Sequence, residues 1–200
     1  MDIVLFEIAG RGISLIDLVC SVLGLTCVFL AGRGSKANFW VGYLYTIALF
    51  ALFWHKNLLA MLMLQPVSLC INIIGHYRWT HPKQQETTVN GELKVSYLSW
   101  LQRGFWLLAV FVLAFGWGIL LDRLFPADPH PYLDSLVTVL ILVAQYLSAQ
   151  KKWDCWVVWL LVNVTQFILH LSVGNYAMCL VSALYLFNGV ASLFHWKKIR

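Results

Sequence analysis

The sequence predicts an all-α integral membrane protein of seven transmembrane helices. Three observations carry that expectation: an excess of apolar residues, seven separated apolar runs, and a charge bias between the segments joining them. Of 200 residues, 60% are hydrophobic and 12% charged, against about 45–50% apolar and about 25% charged in soluble domains. A chain this short still exposes much of its surface when folded, so one small core cannot hide the excess. Lipid is the expected cover.

A hydrocarbon core of about 30 Å takes about 17–25 apolar residues per helix. The first run, 13–31, opens beside Asp17, placed to cap it or to stand at an outer gate. The second, 39–54, is short and flanked by Trp40 and Trp54. The third, 58–77, contains Gln65-Pro66, where the proline removes a backbone donor and reads as a tolerated bend. The fourth covers 104–121, and the fifth, 135–149, is short and follows Asp134. The sixth, 156–173, and the seventh, 176–194, complete the set. Trp40, Trp54, Trp79, Trp153, Trp156 and Trp196 lie near these ends, where an interfacial belt would hold them. No ten-residue apolar/polar alternation recurs, which argues against a β-barrel.

The remaining composition excludes other classes. The net charge of +5 is dispersed between apolar runs, so no nucleic-acid partner is expected. The five cysteines fall inside apolar stretches without CxxC spacing and read as small buried hydrophobes. The N-terminus, MDIVLFE, has no basic n-region, so no removable signal peptide is expected. Segment 81–100 reads as a polar connector without chemistry of its own.

With seven spans, one side holds segments 32–38, 78–103 and 150–155 and the C-terminus. These carry 11 of the 14 Lys and Arg residues. The positive-inside rule assigns that side to the cytoplasm, giving an outer N-terminus and an inner C-terminus.

The two ends of the chain resemble each other. An offset of about 117 pairs Asp17 with Asp134, Leu30 with Leu147, Asn57 with Asn175 and Trp79 with Trp196. The expected organisation is one transmembrane domain with a first three-helix repeat (13–79), a connecting helix (104–121) and a second repeat (134–196). A single helix between the halves makes them parallel, and transporters built this way bind solute near the midplane.

Polar residues inside the runs fall on faces. In the third, Gln65, Ser68, Asn72, His76 and Trp79 share one; in the sixth, Trp156, Trp159, Asn163, Gln166 and His170 do. The fifth aligns Ser135, Thr138 and Gln145, and the seventh Ser182, Tyr185, Asn188 and Ser192 over a wider arc. Helix-to-helix hydrogen bonds, worth about 0.6 kcal/mol each, account for single hydroxyls. Four carboxamides (Gln65, Asn72, Gln145, Asn163) exceed that need, and each is costly if unsatisfied. An amide both donates and accepts, and an indole face attracts flat cations. Trp156 suits either the interfacial belt or a stacking wall, and Trp159 lies a turn deeper on the face of Asn163. The set describes a site for a flat, polar, uncharged or cationic ring.

At these residues the sequence resembles the PnuC family of bacterial vitamin transporters, over nearly the whole chain. The resemblance is carried by LMLQPVSLCINIIGHYRW (62–79) and by DSLVTVLILVAQYLSAQKKWDCWVVWLLVNV (134–164), with its WxxWxxxN pattern. It implies a 3+1+3 bundle similar to the SWEET sugar transporters in the bacterial inner membrane, and no enzymatic activity or cofactor. It also implies facilitated diffusion of nicotinamide riboside, a homotrimer, and trapping of the solute by a cytoplasmic kinase. Of the expected substrate-binding residues, Gln65, Asn72, Gln145, Trp156, Trp159 and Asn163 match the family's motifs, and Tyr185 is added from the polar arc of the seventh run. The chain departs from the family at Ser182, where a tyrosine is expected, with Tyr185 three residues on; thiamine and riboflavin are the alternative solutes. A haem-binding membrane subunit needs two histidines at one depth, and the six here do not pair in that way.

Overall fold

The computed structural model describes residues 4–8, 11–55, 59–88, 90–124, 131–172 and 176–199. Asn57 and Asn175 of the proposed repeat lie outside them. Two short antiparallel strands, β1 (Val4–Ile8) and β2 (Arg11–Ser14), lead into seven α-helices among the described residues. These are α1 (Leu15–Gly32), α2 (Ala37–His55), α3 (Leu59–Thr80), α4 (Trp100–Leu124), α5 (Pro131–Ala149), α6 (Cys155–Ser172) and α7 (Tyr176–Lys198). Each expected span has its helix. The ends differ most at α4, α5 and α7; α4 and α7 run past their apolar cores through residues such as Gln102, Arg103, Lys197 and Lys198, which are good helix formers.

The start of α1 has a local cause. Ser14 Oγ accepts from the Asp17 amide and the Asp17 carboxylate accepts from the Ser14 amide, a reciprocal capping box. Five described helices are long and apolar enough to cross a membrane: α1, α2, α4, α5 and Met178–Lys198 of α7; the apolar part of α6, Cys155–Ile168, is shorter. The 22-residue α3 is less apolar because it carries Gln65, Ser68, Asn72 and His76, and it continues through Pro66.

Neighbouring helices pack in the order α1, α2, α3, α5, α6, α7 and back to α1, a closed ring of six. Helix α4 stands outside it against α5. There Gly118 leaves room for the Tyr132 ring, and Ser135 Oγ donates to the Ala114 carbonyl.

The link from α1 to α2 and the link from α5 to α6 are built alike. Arg33 N donates to Phe29 O (3.1 Å), Gly34 N to Ala31 O (2.9 Å) and Ser35 N to Leu30 O (3.0 Å). In the other link Gln150 N donates to Tyr146 O (3.0 Å), Lys151 N to Ser148 O (2.9 Å) and Lys152 N to Leu147 O (2.9 Å). Both turns need the left-handed region: Gly34 has φ +70° and Lys151 φ +51°. Glycine enters it freely, whereas a side chain adds about 1–2 kcal/mol of strain.

Of the six tryptophans expected at the interface, Trp153 is half-buried with its indole N–H donating to Leu193 O (2.9 Å), and the other five divide into two groups. Trp40 and Trp54 are exposed at the surface lipid would cover, as a belt requires. Trp79, Trp156 and Trp196 are instead 0–1% exposed, inside the bundle at its basic end. Partners explain two of them: Trp79 Nε1 donates to Ser148 O (3.3 Å) and Trp196 Nε1 to Ala31 O (3.2 Å). A satisfied indole N–H can be buried with the full apolar gain of its ring.

Segment 81–99 is a strap rather than a loose connector. Leu93, Val95 and Leu98 are buried in the same core as Trp79 and Trp156. Ser96 N donates to Lys151 O (3.2 Å), and Trp153 N to Ser96 O (2.9 Å). Asp154 accepts from Leu98 N (2.9 Å) and from Arg103 Nε (2.8 Å). Hydrophobic residues alternating with polar ones from 92 to 98 were the signal for this packing, masked by the overall polarity of 81–100.

Candidate solute site

Each candidate side chain can be followed to its partners. Gln65 is buried, and its amide donates to Met61 O one turn back (3.2 Å). Ser68 Oγ donates to Gln145 Oε1 (2.9 Å), joining α3 to α5. Asn72 points the other way: its amide donates to Phe39 O on α2 (3.2 Å). Gly42 makes that approach possible, because a methyl group there would meet Asn72 Nδ2 at 2.9 Å. His76 also turns to α2, with Nδ1 at 2.9 Å from the Tyr43 hydroxyl and its ring stacked on Phe39. The single stripe expected on the third helix is therefore shared between two neighbours, α2 and α5.

On α6, Trp156 packs edge-on against Trp196 (5.5 Å between centroids), and its buried indole N–H has no partner among the described residues. It sits with the aromatic cluster at the basic end, while Trp159 is half-buried one turn deeper. Asn163 lies in the middle of α6 at 5% exposure and makes no hydrogen bond among the described residues. Its amide atoms keep some exposure, since the fully buried unpartnered side-chain atoms among the described residues are those of Arg78 and Trp156, so the carboxamide opens onto accessible space where a solute or water can supply its partners.

Tyr185 reaches the same level from α7. Leu160 and Gly189 touch across the antiparallel α6–α7 pair, so one turn further Asn163 and Tyr185 are neighbours in height. The Tyr185 hydroxyl lies within hydrogen-bonding reach of Tyr45. Both rings converge on Gly24, where a methyl group would meet Tyr185 Oη at 2.5 Å and Tyr45 Cζ at 3.0 Å. Tyr45 was not among the residues singled out from the sequence, where it is one of two tyrosines in an otherwise largely apolar α2. Ser182, a turn toward the N-terminus of α7, is buried and likewise makes no hydrogen bond among the described residues.

The structure thus joins Tyr185 with Tyr45 beside Gly24 and Ser68 with Gln145, and sets Asn163 level with Tyr185 on the adjacent helix. It places Asn72 in the α2–α3 contact and Trp156 at the basic end. An apolar groove of about 530 Å³ lies elsewhere, between α3, α4 and α5, lined by residues such as Leu64, Ile71, Trp106 and Val139. None of the seven candidates lines it, and its walls suit hydrocarbon rather than a polar solute.

Six helices closed into a ring, with five described helices long and apolar enough to cross a membrane and several amides and hydroxyls buried between them, are the features of a multi-pass membrane protein. The chain belongs to the nicotinamide mononucleotide transporter family, whose family model matches residues 14–198. It is 29% identical over 195 residues to the nicotinamide riboside transporter PnuC of Escherichia coli strain K12, with 86% of this chain and 80% of that protein covered. It is 28% identical over 152 residues to the riboflavin/roseoflavin transporter RibM of Streptomyces davaonensis, covering 74% of this chain and 68% of that one. Its fold is similar to that in the crystal structure of the vitamin B3 transporter PnuC, with a TM-score of 0.73 at 24% identity over 92% of this chain and 81% of the other. A family of transporters replaces the haem-subunit reading and gives no ground for an enzyme.

Proposed function

We propose that this protein carries nicotinamide riboside across the bacterial inner membrane by uncoupled facilitated diffusion. The observation that carries the reading is Asn163: a buried, mid-helix carboxamide with open hydrogen-bonding capacity, on the face of Trp159. The nicotinamide carboxamide complements it, because each amide donates and accepts. The nicotinamide ring of the riboside is flat and cationic, which suits Trp159. Gln65, Gln145 and Tyr185 complete the site, with Tyr45 added. Asn72 and Trp156 act behind it, one fixing α2 on α3 and the other closing the basic end.

The basic end faces the cytoplasm under the positive-inside rule, with the N-terminus outside. The chain is read as two parallel three-helix repeats (13–79 and 134–196) joined by α4 (104–121), the arrangement of SWEET-like carriers. The matched link turns, the crossed indole bonds from Trp79 and Trp196, and the ring order of the helices support it. Rocking of the halves gives alternating access. The family resemblance adds a homotrimer and trapping by a cytoplasmic kinase.

Riboflavin is the second reading, favoured by the similarity to RibM; thiamine has no relative among the comparisons to support it. Titrating the purified protein with nicotinamide riboside, riboflavin and thiamine, followed by tryptophan fluorescence, separates them. Saturable quenching by nicotinamide riboside is expected, and a response to riboflavin alone would overturn the choice of solute.

A further inference from the structure

Four aromatic rings at the basic end form a chain, Phe39–Trp79–Trp196–Trp156. Phe39 meets Trp79 edge-on at 5.1 Å and 88°, and Trp156 meets Trp196 edge-on at 5.5 Å and 84°. Between these pairs Trp79 and Trp196 touch at 5.9 Å. The outer pairs each lie within one half of the chain, and the central contact lies between the halves.

The other contacts at this end also sort by half. Trp79 on α3 bonds the last turn of α5, and Trp196 on α7 bonds the last turn of α1. Beside each bond the backbones cross closely. A methyl group on Gly75 would meet Ala149 Cβ at 2.9 Å, and one on Gly32 would collide with Ser192 Oγ. All four contacts join opposite halves. Lys151 adds a fifth: its Nζ stands 4.6 Å over the Trp79 ring, and the residue is 3% exposed. No counterpart exists at the matching position, Gly34.

From this sorting we infer that Trp79 and Trp196 form the inner gate of the carrier, with Lys151 as a latch on one side. The inference rests on the transport reading and the orientation given above. Separating the halves at this end breaks two indole bonds, one ring contact and the Lys151 contact. It leaves Phe39–Trp79 and Trp156–Trp196 intact, so each half keeps its aromatic pair as a packed unit. The strap is bonded to the α5–α6 link through Ser96 and Asp154 and to α3 through the Arg78–Glu86 ion pair (3.1 Å), so it bridges the two halves across the gate. The gate parts between Trp79 and Lys151.

Cys155 is a built-in reporter, being 0% exposed in the first turn of α6 beside Trp156. The test uses the full chain in inside-out vesicles with Cys20→Ala, Cys27→Ala, Cys70→Ala and Cys179→Ala, and a membrane-impermeant sulfonated methanethiosulfonate. Trp79→Phe with Trp196→Phe removes both crossing N–H groups and keeps the rings. Labelling of Cys155 should accelerate about tenfold or more. Lys151→Ala should give about two- to fivefold. An unchanged rate in the Trp pair variant, when it elutes as a single folded species, overturns the gate. So does an equal rise in Trp54→Phe, an exposed residue at the other end of α2 from the gate. Acceleration in the gate variants with no response to added nicotinamide riboside would support the gate and overturn only the choice of solute.

Discussion

Two asparagines separate by what they already bond. Asn163 makes no hydrogen bond among the described residues, so Asn163→Ala should weaken nicotinamide riboside binding about 10- to 100-fold, the range for an unpaired polar group. Its thermal midpoint should stay near that of the parent. Asn72→Ala should do the reverse: it loses the bond to Phe39 O and about 0.6–1.7 kcal/mol of stability, with binding little changed. Isothermal titration and thermal denaturation on both variants check the contrast. Gly34→Ala isolates backbone strain, because the added methyl would meet only Ile199 Cδ1 at 3.4 Å while φ is +70°. A loss of about 1–2 kcal/mol is expected, read as a lower denaturation midpoint. At this scale the sequence revealed which residues were polar and that they were aligned. It did not reveal which neighbour they address. A helical stripe is wide enough to face two helices, so Asn72 and Gln145 looked equivalent although one turns to α2 and the other to α3.

The strap has its own prediction. The Asp154 carboxylate is buried and held by Leu98 N and Arg103. Arg103→Ala leaves that charge with one fewer partner; allowing for the partial exposure of the guanidinium, the cost is about 1–3 kcal/mol. Protease cleavage within 81–99 should quicken, which gel electrophoresis after limited digestion would record. A cleavage rate equal to that of the parent would sink this view of the strap. Burial lowers the Lys151 amine below its ordinary value, against the opposing pull of Glu92. The folded state therefore holds the proton less well than the unfolded chain does. Its stability is lowest below the folded value, and rises as pH climbs from there toward the unfolded value of 10.5. Lys151→Met should flatten that alkaline rise in thermal midpoint. The helices were legible because apolar length is imposed by lipid. The strap was not, since Leu93, Val95 and Leu98 are too few to stand out in a polar segment and acquire meaning only beneath the α5–α6 link.

For the whole molecule, the charge bias makes a prediction about orientation. A fluorescent protein fused after residue 200 should mature and glow in cells, whereas a C-terminal alkaline phosphatase should stay inactive. The opposite pair of results would invert the assignment of the gate to the inner face. The ring order could not be read in advance. Seven spans leave open which helix stands aside; α4 does so, packing on α5 while the other six close through α1 with α7 and α3 with α5.

The two tight crossings carry a consequence for sequence drift. At one, Gly75 of α3 faces Ala149 of α5; at the other, Ser192 of α7 faces Gly32 of α1. Each crossing holds one glycine, but on opposite members of the pair. What selection can conserve there is the combined bulk of two positions, not the identity of either. Gly32→Ala alone should be destructive, because the methyl collides with Ser192 Oγ. Gly32→Ala together with Ser192→Gly turns the α1–α7 crossing into an alanine–glycine copy of the α5–α3 crossing, and function should return. Under the two-repeat reading proposed above, such paired exchanges would let the halves diverge in letters while their contacts stay interchangeable.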